Sequence, residues 1–540
     1  MAEAAVIHDE GAQAGKPDLS KPSPIAARAG FLVMLLVGVG YVAFGVRNDV
    51  TGVGETVAFG AFALLGLALL IALGFEFVNG FHDTANAVAT VIYTHSLPPT
   101  VAVVYSGLLN LTGVLLSTGA VAFTIVTLLP VELILQVGSQ AGYAMIFALL
   151  LAAIIWNLGT WWLGIPNSSS HALIGSIMGV GLANQLMAPA GQATSGVDWS
   201  QAGKVFQALG FSPLVGFLAS ALLLLVMKFL IRTPTLYQEP KADQPPPWWI
   251  RGLLILTCGS VSFAHGSNDG QKGMGLIMLI LIGAAPTAYA LNRTMPDSGT
   301  PKFVAAAQAA QGVFVAHAGA NPPPITVDQA RGVVGEALRT KKVNTPQVFD
   351  ALGMLSGDIT EQVKTYGSVK HVPAAATPNL RNDMYLADAA ANGLMKTKGV
   401  FADKEATTVK AFTGGLDQST RFIPLWVKVG VAIALGLGTM VGWKRIVVTV
   451  GEKIGKTHLT YGQGAAAEII AAVTIMLADA YKLPVSTTHI LSSGVAGTMA
   501  ANGSGLQART LLNIALAWLL TLPAAILLAG GLYFILRHVF

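Results

Sequence analysis

Residues 60–78, GAFALLGLALLIALGFEFV, carry one charged side chain in nineteen positions, and runs of this character recur to the C-terminus. About 20 such residues cross a bilayer as a helix, because lipid leaves the backbone N–H and C=O groups no partners but one another. Composition agrees. Hydrophobic residues make up 53% of the 540 and charged residues 11%, with a mean hydropathy of +0.62, where soluble domains hold about 25% charged residues. The 60 glycines suit helices whose backbones approach closely. A single cysteine, Cys258, excludes an internal disulfide and a cysteine-ligated metal cluster. The net charge of +5 gathers at segment ends, which orients a membrane protein and does not point to nucleic acid. The chain reads as an all-α polytopic membrane protein whose first partner is the lipid bilayer.

Hydropathy divides it into a polar tail (1–25), an N-terminal helix (26–55), a first membrane unit (56–231), a Pro-rich linker ending in a tryptophan pair (232–249), and a second membrane unit (250–291 and 422–540). A soluble insert (292–421) interrupts the second unit. Ten to thirteen transmembrane or re-entrant segments are expected, among them separate ones near 250–264 and 272–290. Several are too short to cross alone.

Two motifs occur twice. Asn79-Gly-Phe-His82-Asp83-Thr-Ala-Asn86 is matched by His265-Gly-Ser-Asn268-Asp269-Gly-Gln-Lys272, and Pro166-Asn-Ser168-Ser169-Ser170-His171 by Pro484-Val-Ser486-Thr487-Thr488-His489. The spacing from Asp83 to Pro166 is 83 residues and from Asp269 to Pro484 is 215, a difference close to the length of the insert. The chain is thus a duplicated membrane unit with a domain placed in its second copy, an organisation typical of secondary transporters with a site at the repeat interface. Positions 79, 82, 83 and 86, like 265, 268, 269 and 272, share one face if helical, and Glu76 extends the first stripe. A charge at membrane depth costs about 2.5 kcal/mol or more, so the two stripes must face one another, water or a ligand. A buried structural network is the plainer reading of either stripe alone.

The triplets offer a complementary chemistry. Proline suits the first turn of a helix, and hydroxyls beside free N–H groups at a helix N-terminus bind oxyanions. Three adjacent hydroxyls, twice over, suit a tetrahedral anion. A lone Ser-Ser-Ser after proline is ordinarily an N-cap, and His171 and His489 read equally well as packing residues.

The stretches NGFHDTANAVATVIYT, HGSNDGQKG, IIWNLGTWW before PNSSSHALIG, and LPVSTTHILSSGVAGTM closely resemble the inorganic phosphate transporter (PiT) family, with bacterial low-affinity phosphate permeases most alike. The resemblance covers residues 56–291 and 422–536. It implies an inverted-repeat secondary transporter and cation-coupled symport of inorganic phosphate, free or as a metal–phosphate complex, across the bacterial cytoplasmic membrane. A proton is favoured over sodium as the coupling ion. It also implies no cofactor and no enzyme, and such carriers are often homodimers. Substrate-binding candidates are Ser168, Ser169, Ser170, Ser486, Thr487, Thr488, Asn86, Asn268 and Lys272. Coupling-ion candidates are Asp83, Asp269, Glu76 and His82. Asn79, His171, His265 and His489 are supporting candidates. Gly270-Gln-Lys272-Gly departs from the Ala-Asn pair common in the family, which puts a second sodium site in doubt, and Lys272 can neutralise Asp269.

A sulfate permease is the nearest rival, although an unprotonated carboxylate would repel sulfate. A membrane phosphatase would need a nucleophile–base motif that is not legible. Topology is contradictory: Lys228, Arg232, Lys241 and Arg251 mark one cytoplasmic connection, and Lys444, Arg445, Lys453 and Lys456 another. With 250–264 and 272–290 each crossing, the two fall on opposite sides. The insert, with 14 basic and 11 acidic residues, orients nothing, and family resemblance favours the cytoplasm for it.

Overall fold

The computed structural model describes residues 17–19, 24–54, 59–83, 85–126, 128–129, 131–135, 139–188, 196–197, 199–240, 244–319 and 324–539. Most of the polar tail therefore lies outside the described residues. Among the described residues the chain is helical and contains no strand. The helices are α1 (Ile25–Gly52), α2 (Phe59–Asp83), α3 (Ala85–Tyr93), α4 (Pro99–Leu116), α5 (Ala120–Val126), α6 (Val131–Leu135), α7 (Gln140–Trp162), α8 (Ser169–Leu186), α9 (Trp199–Leu230) and α10 (Trp248–Ala284). They continue as α11 (Pro286–Tyr289), α12 (Thr300–His317), α13 (Val327–Thr340), α14 (Pro346–Thr365), α15 (Thr377–Lys396), α16 (Asp403–Thr420), α17 (Leu425–Thr439), α18 (Lys444–Val448), α19 (Tyr461–Ala480), α20 (Thr487–Asn502) and α21 (Ala508–Val539). Seven of the described helices are long and apolar enough to cross a membrane, or eight if the bent pair α16–α17 counts as one span. This is an integral membrane protein of the all-helical class.

The two segments expected at 250–264 and 272–290 are one helix. α10 runs unbroken for 37 residues, about 55 Å at 1.5 Å per residue. Its central polar residues depress the local hydropathy and imitate a gap, but they face protein: His265, Asn268, Asp269 and Lys272 are all buried.

α10 is not among the seven candidate spans, but one helix in place of two expected segments removes the topological contradiction. Arg251 Nε donates to Ser96 O (2.8 Å), Tyr93 OH to Glu452 Oε1 (2.5 Å), Gln507 Nε2 to Glu452 O (3.0 Å), and Lys228 Nζ to Asn502 Oδ1 (2.5 Å). Both basic connections therefore share the end at which α10 starts. At the other end Asp49 accepts from Tyr289 OH (3.0 Å) and Trp426 Nε1 (2.8 Å), stapling α1 to α11 and α17. The insert lies at that end, where Arg381 donates to Ile134 O (3.3 Å). Helices α12–α16 pack around a core of their own, with Phe314, Leu352, Met384 and Phe412 fully buried.

Glycine brings α4 and α10 into backbone contact, as small residues do where no hydrophobic effect drives helices together. A Cβ on Gly266 would fall 2.1 Å from Asn110 O, whereas one on Gly252, on the same helix, would meet nothing. Gly266→Ala should therefore force the two helices apart and lower the melting temperature in detergent, as overpacking by about 1–3 kcal/mol does. Gly252→Ala should melt with the wild type.

Candidate functional site

The end of α2, the start of α3, the middle of α10 and the N-termini of α8 and α20 converge on one buried centre. Proline does not open the last two helices as expected. Ser168 and Ser486 are the N-caps, each accepting the backbone N–H of the histidine three residues on (3.2 Å), and Pro166 and Pro484 stand two residues ahead of the caps. The hydroxyls of each triplet divide their tasks. The first caps the helix. The third is tied: Ser170 accepts from Lys272 Nζ and donates to Val485 O (3.1 Å), while Thr488 donates to Asp83 Oδ1 (2.7 Å) and accepts from Asn86 Nδ2 (3.2 Å). The middle hydroxyls, Ser169 Oγ and Thr487 Oγ1, are buried and have no partner.

These ties cross between the copies. Asp83 in the first meets the triplet of the second, and Lys272 in the second meets the triplet of the first. Lys272 Nζ also holds Asp269 Oδ1 (2.5 Å) three residues back on its own helix and donates to Val485 O (3.4 Å). Asp269 Oδ2 lies 3.4 Å from His265 Nε2, and His265 Nδ1 pairs with Asn110 Oδ1 (2.9 Å). Asp83 has His82 Nδ1 at 3.1 Å, and His82 Nε2 pairs with Thr160 Oγ1 (3.2 Å). Donor atoms of Asp83, His265 and Asp269, one from each, lie within 4.8 Å of one another, a span that fits one small cation. Glu76 is fully buried, takes a hydrogen bond from Asn79 Nδ2 (3.4 Å), and lies over Gly273, where a Cβ would fall 2.2 Å from its Oε1.

Asn268 Nδ2 donates to Leu483 O (3.2 Å) while its Oδ1 and Asn86 Oδ1 are buried without partners. His171 and His489 stack across the two helix N-termini with ring centroids 4.5 Å apart, and His489 rests on Trp518 at 4.1 Å. All the expected residues thus gather in this one centre, with Glu76 and Asn79 at its edge along α2. The sequence reading passed over Thr160 and Asn110, which orient the histidines. It also passed over Gln271 and Asp479, which close one flank, and Glu468, buried on α19 and accepting from Thr257 Oγ1 (2.5 Å). The two acids were visible as single carboxylates inside apolar runs.

Residues 79–529 match the model of the phosphate transporter family. This protein belongs to that family. It is 42% identical over 494 residues to the low-affinity inorganic phosphate transporter PitA of Escherichia coli K12, covering 87% of this chain and 96% of that one. It is 38% identical over 487 residues to the low-affinity inorganic phosphate transporter of Buchnera aphidicola from Acyrthosiphon pisum, with the same coverage. A solved structure described as the sodium-dependent phosphate transporter aligns with a TM-score of 0.48 at 20% identity, over 88% of this chain and all of that one. Family members are transporters and not enzymes, and inorganic phosphate is their substrate.

The split within each triplet gives opposite expectations for neighbouring serines. Ser168→Ala and Ser486→Ala remove caps and should lower thermal stability by about 1 kcal/mol each. Ser169→Ala and Thr487→Ala remove unpartnered hydroxyls and should leave melting unchanged. A lost hydrogen bond to a charged ligand is worth about 1.5–3 kcal/mol, so phosphate affinity should fall roughly ten- to a hundredfold. Melting curves and equilibrium binding of phosphate distinguish the two pairs.

Proposed function

We propose that this protein is a proton-coupled symporter carrying inorganic phosphate into the cell across the bacterial cytoplasmic membrane. The observation that carries the reading is the pair of unpartnered hydroxyls, Ser169 and Thr487, in the first turns of two opposed helices beside Lys272. Fixed donors and one ammonium around a small volume suit a tetrahedral dianion, and the helix N-termini add partial positive charge. The nearby carboxylates suit a substrate that carries a proton, as phosphate does and sulfate does not at neutral pH.

The duplicated motifs favour an inverted-repeat carrier with its site between the copies. By the positive-inside rule the end bearing Lys228, Arg232, Arg251, Lys444 and Arg445 is cytoplasmic. The insert then lies on the outer face, against the placement that family resemblance favoured. Asp269 is held by Lys272, whereas Asp83 has only histidine and hydroxyl partners. We assign the coupling proton to Asp83 and a charge-balancing role to Asp269. The donor trio Asp83, His265 and Asp269 favours a second reading, in which phosphate arrives complexed to a divalent metal.

Protein in liposomes should accumulate phosphate when a proton gradient is imposed and not when a sodium gradient alone is imposed. Flux indifferent to both gradients removes symport, and strict dependence on added Mg2+ selects the complex. Asp83→Asn should abolish proton-driven accumulation yet retain phosphate exchange, which needs no net proton movement. Asp269→Asn should weaken binding, since it leaves Lys272 short of its carboxylate. Proton-driven accumulation by Asp83→Asn would reverse the assignment.

A further inference from the structure

Where the insert meets the membrane helices there is an open cavity of about 370 Å³, lined by Thr118, Thr124, Asp417, Gln418, Arg421 and Lys482. Its charges are unevenly committed. Arg421 is shared between Asp388 (2.9 Å) and Asp417 (2.9 Å). Burial pushes the Asp388 carboxyl up to about 7, so near neutrality it offsets Arg421 only in part. Lys428 Nζ is spent on Ser117 O (2.9 Å). Lys482 is exposed and forms no salt bridge among the described residues, although its charge acts on Asp417 across the cavity.

Lys482 also occupies a backbone position that does not favour it. Helices α7 and α19 end in the same turn. Gly164 N donates to Trp161 O (2.8 Å) and Ile165 N to Thr160 O (3.0 Å); Lys482 N donates to Asp479 O (2.9 Å) and Leu483 N to Ala478 O (2.8 Å). This closing turn needs one residue in the left-handed region, ordinarily glycine. The first copy supplies Gly164 (φ 67°), and the second puts Lys482 there at φ 59°. A side chain disfavours that conformation, so the turn itself gives no reason for a lysine.

The loop that carries Lys482 reaches the buried centre within three residues. Leu483 O accepts from Asn268 and Val485 O from Lys272 and Ser170. Beside the cavity, next in sequence to its lining residue Ala120, a small lattice begins at Val121. Gln271 Oε1 accepts from Val121 N (2.9 Å) and its Nε2 donates to Asp479 Oδ1 (2.7 Å), while Ser267 Oγ donates to Asp479 Oδ2 (2.7 Å). Gln271, the partner of Val121, is followed directly by Lys272, the cation of the centre.

We propose that this cavity is a capture site for inorganic phosphate at the outer entrance, with Lys482 as its attracting charge. The proposal rests on the transport reading and on the orientation given above. The anion is drawn in by Lys482, meets the hydroxyls of Thr118 and Thr124 and the amide of Gln418, and waits beside the Gln271–Asp479 lattice. Asp417 opposes it and keeps the hold loose, which suits a staging post whose occupant has to move on.

The test compares Lys482→Gly and Lys482→Glu with the wild type in proteoliposomes whose insert faces outward, measuring initial phosphate uptake across ionic strengths. Lys482→Gly restores the residue the turn favours, so it should melt no lower than the wild type. Its apparent KM should nevertheless rise on the order of threefold at about 0.01 M salt, where the screening length is about 30 Å, and the difference should vanish near 1 M. Lys482→Glu should rise further, with maximal rate unchanged in both. Wild-type KM in both variants at low salt overturns the capture site and leaves phosphate transport standing. So does a KM change that ignores salt, since that marks a structural effect. A wild type that carries no phosphate overturns both readings.

Discussion

Two carboxylates, Asp83 and Asp269, are brought within 4.8 Å of His265 and of each other, out of reach of water. An isolated charge at membrane depth costs about 2.5–3.5 kcal/mol on insertion scales, and like charges at this separation add to that. Each carboxylate is compensated differently, by Thr488 and His82 at one and by Lys272 and His265 at the other. The triplet contacts reach across the two motif pairs, Thr488 to Asp83 and Ser170 to Lys272, while Asp269 finds Lys272 and His265 on its own helix. Compensation of Asp83 thus draws on the second motif pair, and the apolar packing has to permit that approach.

The packing permits it through missing side chains. Gly266 lets the backbone of α4 lie against α10, and Gly273 leaves room for the Glu76 carboxylate. The same economy appears in the triplets, where one hydroxyl terminates the helix, one is tied to a charge and one is buried without a partner. Leaving a buried donor unpaired is costly in a finished protein, and the proposed phosphate contact is what would offset that cost.

Much of this could be read before any coordinates. The repetition of stripe and triplet said that the four motifs belong together, and the i, i+3 spacing of Asp269 and Lys272 said that they can pair on one helix. The continuity of α10 was illegible because hydropathy treats a polar stripe as a break, whether it faces lipid or protein. The pairing of Asp83 with Thr488 spans 405 residues, and no local period reports on that. The caps were half visible: Ser168 and Ser486 are ordinary N-cap residues, but proline was expected inside the first turn when it belongs to the approach. Once residues 250–284 are one helix, the basic residues already marked in the sequence fall at one end of the bundle and the insert at the other.

That helix has a mechanical consequence. The described backbone of α10 passes from the basic end, through the charged centre, to the end where the insert is attached, without proline, bulge or interruption. A hinge cannot sit where the chain is a continuous hydrogen-bonded rod, so its two halves must tilt together. Movement of the insert would be felt on the opposite face of the membrane as movement of a lever, with Asp269 and Lys272 close to the fulcrum.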